Sequence, residues 1–437
     1  MNRVKTVVFT LFIALSLISR TYAQSKDEKK GDEIFQHCHY YEAIDYFKNA
    51  LDKETDRKVK PKLMFKVAQC YKMMKDSKNA EIWYKKAMLA NCPIHQATLF
   101  YADMLLANGK VDEASAQYTA YLALEPSDAP GVNGVETCKR ATQWKSAPAA
   151  FDVINCTSLN SKDDDYAPCF YNLKYNSLAF TSSREGAVGE YYNQVNGQSS
   201  PDIYTSTADK NGKWSLPASA GKNINTKNGE ADASVYFSDR SATATPSEIY
   251  FTRSIIEKDK KQISHIYVAK LKSGSTTDWD TPTLINIAGD TINCCNPCIS
   301  TDGLTLYFSS DMPGGQGGMD IWMVKCSDKN AAWGEPVNLG KTINTAGDEV
   351  YPYATAGNDT LYFSSNGLPG MGGLDIFMSV KKGGSWSTPV NLQSPINSSS
   401  DDFGIIFQNS KKGYFCSSRP GGKGNVDIYM FSPAQQH

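Results

Sequence analysis

Two patterns of apolar and polar positions divide the chain. From about residue 26 to 147 apolar residues recur at helical spacing, and turn signals cut the stretch at intervals of 34 to 37 residues. After Pro148 the pattern becomes short runs of alternating apolar and polar residues, rich in aromatics and separated by Gly, Ser, Asn and Asp. The first pattern predicts paired helices and the second predicts strands, which together place an α domain ahead of an all-β domain.

Three segments of the helical part align: Tyr40 to Leu51, Asn79 to Leu89 and Asp112 to Leu124. They put Ala43, Ala80 and Ala114 at one position, Tyr46, Trp83 and Gln117 at the next, then Ala50, Ala87 and Tyr121. Small residues at fixed places let two helices approach, and large ones fill the neighbouring gaps. Partner helices precede them: Pro61 to Met74 opens with proline in its first turn, and Pro93 to Ala107 ends before Asn108-Gly109. The pattern resembles about three tetratricopeptide (TPR) repeats over 24–147, with Asp128 to Trp144 as a capping helix. Stacked helix pairs of this kind curve round a groove suited to a peptide or a partner helix. The same helices could also serve only as a spacer.

The β part, 148–437, repeats a unit clearest in Tyr351 to Asn397 and Asn296 to Asn344. Each unit predicts four strands. The third begins at Asp202, Asp320, Asp375 or Asp427, and Trp214, Trp279, Trp333 or Trp386 precedes the fourth. The aspartates suit a tie between a Gly-rich loop and the third strand, and the tryptophans suit packing between neighbouring sheets. Four-stranded sheets repeated in this way predict a β-propeller of five blades, or six if Glu230 to Asp290 holds an extra sheet. The last copy stops after three strands, while Leu159-Asn160-Ser161 and Pro168 align with Ile343-Asn344-Thr345 and Pro352. A strand at 151–156, ahead of the first copy, is therefore expected to complete the final blade.

The D-I-Y strand starts after GG-rich loops, with their LYFSS strands, resemble the PD40 repeat of TolB-type, WD40-like propellers. TPR repeats followed by PD40 repeats resemble the front part of periplasmic envelope proteins of Bacteroidota. This PorE-type family is linked to type IX secretion and continues into an OmpA-like peptidoglycan-binding domain. The present sequence ends at His437, without that domain. The resemblance implies a periplasmic protein associated with the outer membrane as one part of a larger complex.

Residues 1–23 read as a signal peptide: Arg3 and Lys5 precede the twelve-residue apolar run Val7 to Ile18, and Thr21-Tyr22-Ala23 supplies a cleavage site. No later segment reaches transmembrane length. The chain carries a formal charge of −1, or −4 without Arg3, Lys5 and Arg20. This balance gives no basic face for nucleic acid.

Chemistry-bearing motifs are few. Cys294, Cys295 and Cys298, with Cys326, form a candidate disulfide or thiol cluster, the disulfide being favoured in an exported chain. His37 and His39 flank Cys38, but no second cluster stands at zinc-ligand spacing. Acids recur at the blade junctions (Asp164 and Asp165, Glu230 and Asp232, Asp348 and Glu349, Asp401 and Asp402) and are read as turn caps. His265 has no nucleophile motif beside it. The reading is a scaffold or adaptor for envelope proteins, with no cofactor, no metal and no enzymatic activity. A propeller that binds glycan or peptidoglycan fragments is the alternative.

Overall fold

The computed structural model describes residues 24–189, 195, 197–256 and 262–434. The expected signal peptide at 1–23 lies outside them. The chain forms two compact units, one holding most of the helices and the other the strands together with 106–111 and the helical stretch from Glu136.

The helical unit is built from α1 (Lys26–Gln36), α2 (Tyr40–Lys53), α3 (Lys60–Met73), α4 (Ser77–Leu89), α5 (Gln96–Ala107), α6 (Val111–Leu124) and α7 (Ala129–Ser146). Local chemistry sets the ends. Ser25 accepts the Glu28 N–H ahead of α1, and Asp76 accepts the Asn79 N–H ahead of α4. Lys75 and Asn91 take positive φ where α3 and α4 stop. Ala43, Ala80 and Ala114 are fully buried, as are Phe47, Tyr84 and Tyr118 four residues further along each helix. These aromatics fill the innermost helix contacts, and the half-buried Tyr46 and Trp83 pack against the margin of the same core. Gly31 shows why the facing position must be small, since a Cβ there would meet the Phe47 ring at 2.7 Å. The unit is TPR-like, with α7 following three helix pairs.

The strands form a five-bladed propeller. The first blade runs β2-β3-β4-β5 (Asp165–Phe170, Ser177–Ser182, Asp202–Thr207, Ala218–Ser219), after β1 (Phe151–Asn155). The second is β6-β7-β8-β9 (Gly229–Tyr236, Glu248–Ile256, Gln262–Lys270, Thr283–Leu284). The third is β10-β11-β12-β13 (Cys294–Ile299, Thr305–Ser310, Asp320–Lys325, Val337–Asn338). The fourth contains β14 (Glu349–Ala354), β15 (Thr360–Ser365), β16 (Asp375–Lys382), β17 (Ser385–Trp386) and β18 (Val390–Asn391). The last combines β19 (Asp402–Asn409), β20 (Lys412–Ser417) and β21 (Asp427–Pro433) with β1. The long second copy makes one sheet, so the blade number is five and not six.

β1 closes the ring as its outermost last strand, pairing antiparallel with β21 from Phe151↔Pro433 to Asn155↔Tyr429. Asn160 adds a clamp. Its side chain accepts the Ile428 N–H at 3.0 Å and donates to the Ile428 carbonyl at 2.9 Å. Asn225, Asn344 and Asn397 make the same pair of bonds to Ile203, Ile321 and Ile376 within their own blades.

Each tryptophan packs on the preceding blade. Trp279 meets Tyr171 edge-on at 6.4 Å and Trp214 meets Tyr414 at 6.1 Å. Trp333 joins Tyr250 and Ile266, and Trp386 joins Tyr307 and Met323. The final blade has no tryptophan at this place, and Phe151 packs there beside Tyr362 and Ile376. Pro217, Pro282, Pro336 and Pro389 immediately precede the short outer strands, removing a donor at the exposed edge.

The strand-initial aspartates hold the Gly-rich loops. Asp202 accepts the Val188 N–H at 2.8 Å and Asp320 the Gln316 N–H at 2.5 Å; Asp375 and Asp427 accept from Met371 and Lys423. A Cβ on Gly370 would strike the Asp375 carboxylate, which is itself buried. Gly370→Ala is therefore expected to cost about 1–3 kcal/mol, measured by urea unfolding.

Candidate central-cavity site

The innermost strands of all five blades line one cavity of about 240 Å³. Each of these strands carries a bulge, and the bulged residue has positive φ: Ala167 (49°), Asp232 (57°), Asn296 (50°), Tyr351 (53°) and Gly404 (63°). In three places the second strand of the preceding blade satisfies the bulge amide. Thr181 Oγ1 accepts from Asp232, Thr252 Oγ1 from Asn296 and Cys416 Sγ from Ala167, at 2.9, 3.1 and 3.1 Å. These side chains register the blades against one another around the cavity.

Asp232 is the only carboxylate among the described residues lining the cavity. Asn296 Nδ2 donates to its Oδ2 at 2.9 Å, while Oδ1 is buried with no hydrogen-bond partner. Burial lifts its pKa from 3.8 to about 6, against the lowering influence of Thr252 and Asn296. Between these two values the folded chain holds a proton that the unfolded chain has released. The group's contribution to stability therefore falls as pH rises from about 4 to 6. Asp232→Asn should flatten that part of the profile, as read from urea midpoints at pH 4.5 and 7.

Glu230 belongs elsewhere, so the sequence pairing of Glu230 with Asp232 as junction acids is corrected for Asp232. Glu230 aligns in the sheets with the fully buried Asp165, Glu349 and Asp402 at the strand start. Arg184, Arg253 and Arg419 reach Asp165, Glu230 and Asp402 at 2.6, 2.8 and 2.7 Å. Glu349 instead takes the hydroxyls of Thr345 and Ser365. Asp348 and Asp401 accept the backbone N–H groups of Met319 and Leu374. These acids secure turns and junctions. Asp232 lies on the bulge, facing inward.

The expected disulfide among Cys294, Cys295, Cys298 and Cys326 is not formed, and all eleven cysteines are thiols. Cys294 lies 3.6 Å from Ser310 Oγ, at the end of the sheet where Ser310 pairs with Asp320. Cys326 follows Lys325, which pairs with Thr305 at the opposite end. A strand of this length separates them by roughly 17–20 Å. Cys295 points to the other face from Cys294 by strand alternation. Cys298 accepts the Ala354 N–H at 3.4 Å beyond the bulge. Among the described residues no group of three His, Cys, Asp or Glu side chains could hold a metal. Cys38 is exposed at a positive-φ turn between α1 and α2, with the His37 and His39 rings 6.4 Å apart. His265 pairs with Arg253 across β7 and β8 and is not among the cavity-lining residues.

The helical unit has a second cleft, of about 610 Å³, lined by Arg57, Lys58, Lys60, Lys62, Met64, Ala90, Asn91 and Pro93. Four cations converge there in a chain whose overall charge is near zero. Among the described residues no helix is long and apolar enough to cross a membrane.

No protein-family model and no curated protein matches the chain. Among solved structures, the first TPR domain of Spaghetti (RPAP3) bound to an HSP90 peptide is 26% identical. It covers 27% of this chain and 90% of its own, with a TM-score of 0.25. The C-terminal TPR-containing domain of a Plasmodium falciparum FK506-binding protein is 22% identical, covering 29% and 96% at a TM-score of 0.24. A thermostable family-43 glycoside hydrolase is 12% identical, covering 62% and 95% at a TM-score of 0.40. The expectation of no enzymatic activity is corrected accordingly: the five-bladed propeller is a fold shared with family-43 glycoside hydrolases, so the fold does not exclude catalysis. At this similarity the match assigns no activity to the chain.

Proposed function

We propose that this chain is an adaptor that binds proteins of the cell envelope, working in the periplasm beside the outer membrane. The basic cleft of the TPR-like unit carries this reading. Arg57, Lys58, Lys60 and Lys62 surround a recess with apolar walls at Met64, Ala90 and Pro93. That combination suits an acidic peptide with an apolar anchor. The compartment is supported by the Arg3–Ala23 leader pattern, and the PorE-type resemblance of the repeats supports a place in an outer-membrane or type IX secretion assembly.

Crosslinking mass spectrometry in native envelopes tests it. Specific envelope proteins should crosslink to the segment around Lys58 and Lys60, and Arg57→Glu with Lys60→Glu should reduce their yield about tenfold at physiological salt. Equal recovery of all partners by the double variant would reject the cleft as the docking site. Glycan binding is the second reading, favoured by the tyrosine and phenylalanine side chains lining the central cavity.

A further inference from the structure

Four of the five blades close their outer edge with proline, and one does not. In each blade the same place on the third strand (Thr205, Val268, Met323, Met378 and Met430) pairs with Ala218, Thr283, Val337, Val390 and Ile154 on the outer strand. The outer-strand residue just before that pair is Pro217, Pro282, Pro336 or Pro389 in four blades, and Val153 in the fifth. Two places after it, the amides of Ala220, Ile285, Leu339, Leu392 and Cys156 all bond inward, so the five ladders share one phase. The proline column therefore lies where a backbone N–H would point away from the sheet, and proline deletes that donor. Val153 keeps it.

β1 is also five residues long, against two for β5, β9, β13 and β18. The Ala434–Ala150 and Cys156–Ile428 bonds turn its even-numbered residues inward. The Phe151 carbonyl, both backbone groups of Val153 and the Asn155 N–H are left pointing outward, and no described element other than β21 runs along the strand. We propose that a second copy of the chain covers this edge, β1 pairing antiparallel with β1 about a two-fold axis at Val153.

The order of the outward groups is its own complement. Across the axis the two Val153 residues exchange both N–H···O bonds, and each Phe151 carbonyl meets the Asn155 N–H of the other copy. All four groups are then satisfied. The side chains agree: Ile154, 54% exposed, comes opposite Asp152, so the two aspartates do not face each other. Both edges are also fixed before they meet, by the ladder to β21 and by Phe151 against Phe431, so pairing orders no loose segment. A flexible peptide carries that ordering cost, which favours the second copy.

The test is sedimentation velocity on the chain from Gln24 onward, with reductant present so that the thiols form no cross-links. The chain should pass from one copy to two as its concentration rises to about 300 µM. Val153→Pro imitates the four sealed blades and spares the inward ladder. It removes both central bonds and should weaken association at least about tenfold, with the thermal midpoint within about 3 °C. Ile154→Asp, at an exposed place the fold does not need, sets carboxylates opposite each other twice and should weaken association about fivefold. A chain that stays single up to about 300 µM, or a pair undiminished by either variant, would overturn the proposal. A single chain whose β1 crosslinks to another protein in native envelopes would give the edge to that protein's strand and overturn it equally. No readout here involves the basic cleft, so the adaptor reading stands or falls separately.

Discussion

Replacing Phe151–Asn155 with a glycine-serine segment of equal length should lower the thermal midpoint by more than about 10 °C and broaden the transition. The change removes five paired positions on β21 and exposes the outer edge of the last blade. It also removes Phe151, whose ring meets Phe431 edge-on at 5.7 Å, and Val153 from the cluster with Ile396, Phe415 and Phe431. Truncating one buried aromatic alone costs about 3–5 kcal/mol, with a half-buried ring such as Phe151 at the lower end. A matched change in the exposed Asn409–Lys411 turn should leave the midpoint within about 2 °C. Calorimetry on the full chain decides the matter: an unchanged midpoint would mean that three strands suffice for the last blade.

Arg419→Ala should cost about 3–5 kcal/mol in urea unfolding, largely independent of salt. Asp402 is fully buried, and the Arg419 side chain is 16% exposed with its guanidinium stacked over Phe415 and Tyr429. The same guanidinium donates to the carbonyls of Pro395 and Ile396, so its loss leaves a buried carboxylate without its counter-ion, held only by Ser398, and two backbone acceptors unmet. Lys272–Asp278 supplies the contrast, a pair at 3.0 Å whose side chains are 44% and 59% exposed. Removing Lys272 should cost no more than about 1 kcal/mol and respond to salt. Similar losses for the two variants would show that burial does not set the strength of the Arg419 pair.

The fold was legible wherever a side chain's role repeats. The Asp202, Asp320, Asp375 and Asp427 column revealed four third strands, and the match of Leu159-Asn160 to Ile343-Asn344 revealed closure, because one asparagine clamp recurs in four of the five blades. The helical pairs were visible from Ala43, Ala80 and Ala114, and Tyr46 and Trp83 do pack on the core, but the fully buried column is the next residue along, Phe47, Tyr84 and Tyr118. Near-continuous aromatics such as Tyr46-Phe47 and Trp83-Tyr84 blur the angle at which a helix faces its partner.

The cavity was harder to see. Asp232 stood two residues from Glu230 and was grouped with the acids that secure turns. A bulge on every inner strand shifts the alternation of inward and outward side chains, so ordinary strand spacing misplaces it. A signal was present in Pro168, Pro297 and Pro352, each directly after the bulged residue; carrying that column to Ala233 puts Asp232 on the bulge. The cysteines misled for a related reason. Closeness along a strand separates side chains to opposite faces, and Cys326 lies at the far end of the sheet.

The junction of Phe151–Asn155 with Tyr429–Pro433 also constrains how the protein comes into being. Four blades can assemble from neighbouring stretches of polypeptide as these become available. The fifth must wait for β21, the last strand of the β region, and then recapture a segment made near the start of that region. Such a contact between distant parts of the chain is slow to form. Until it forms, the intermediate shows a bare strand on the last sheet, open to a second copy or to a chaperone that recognises unpaired backbone.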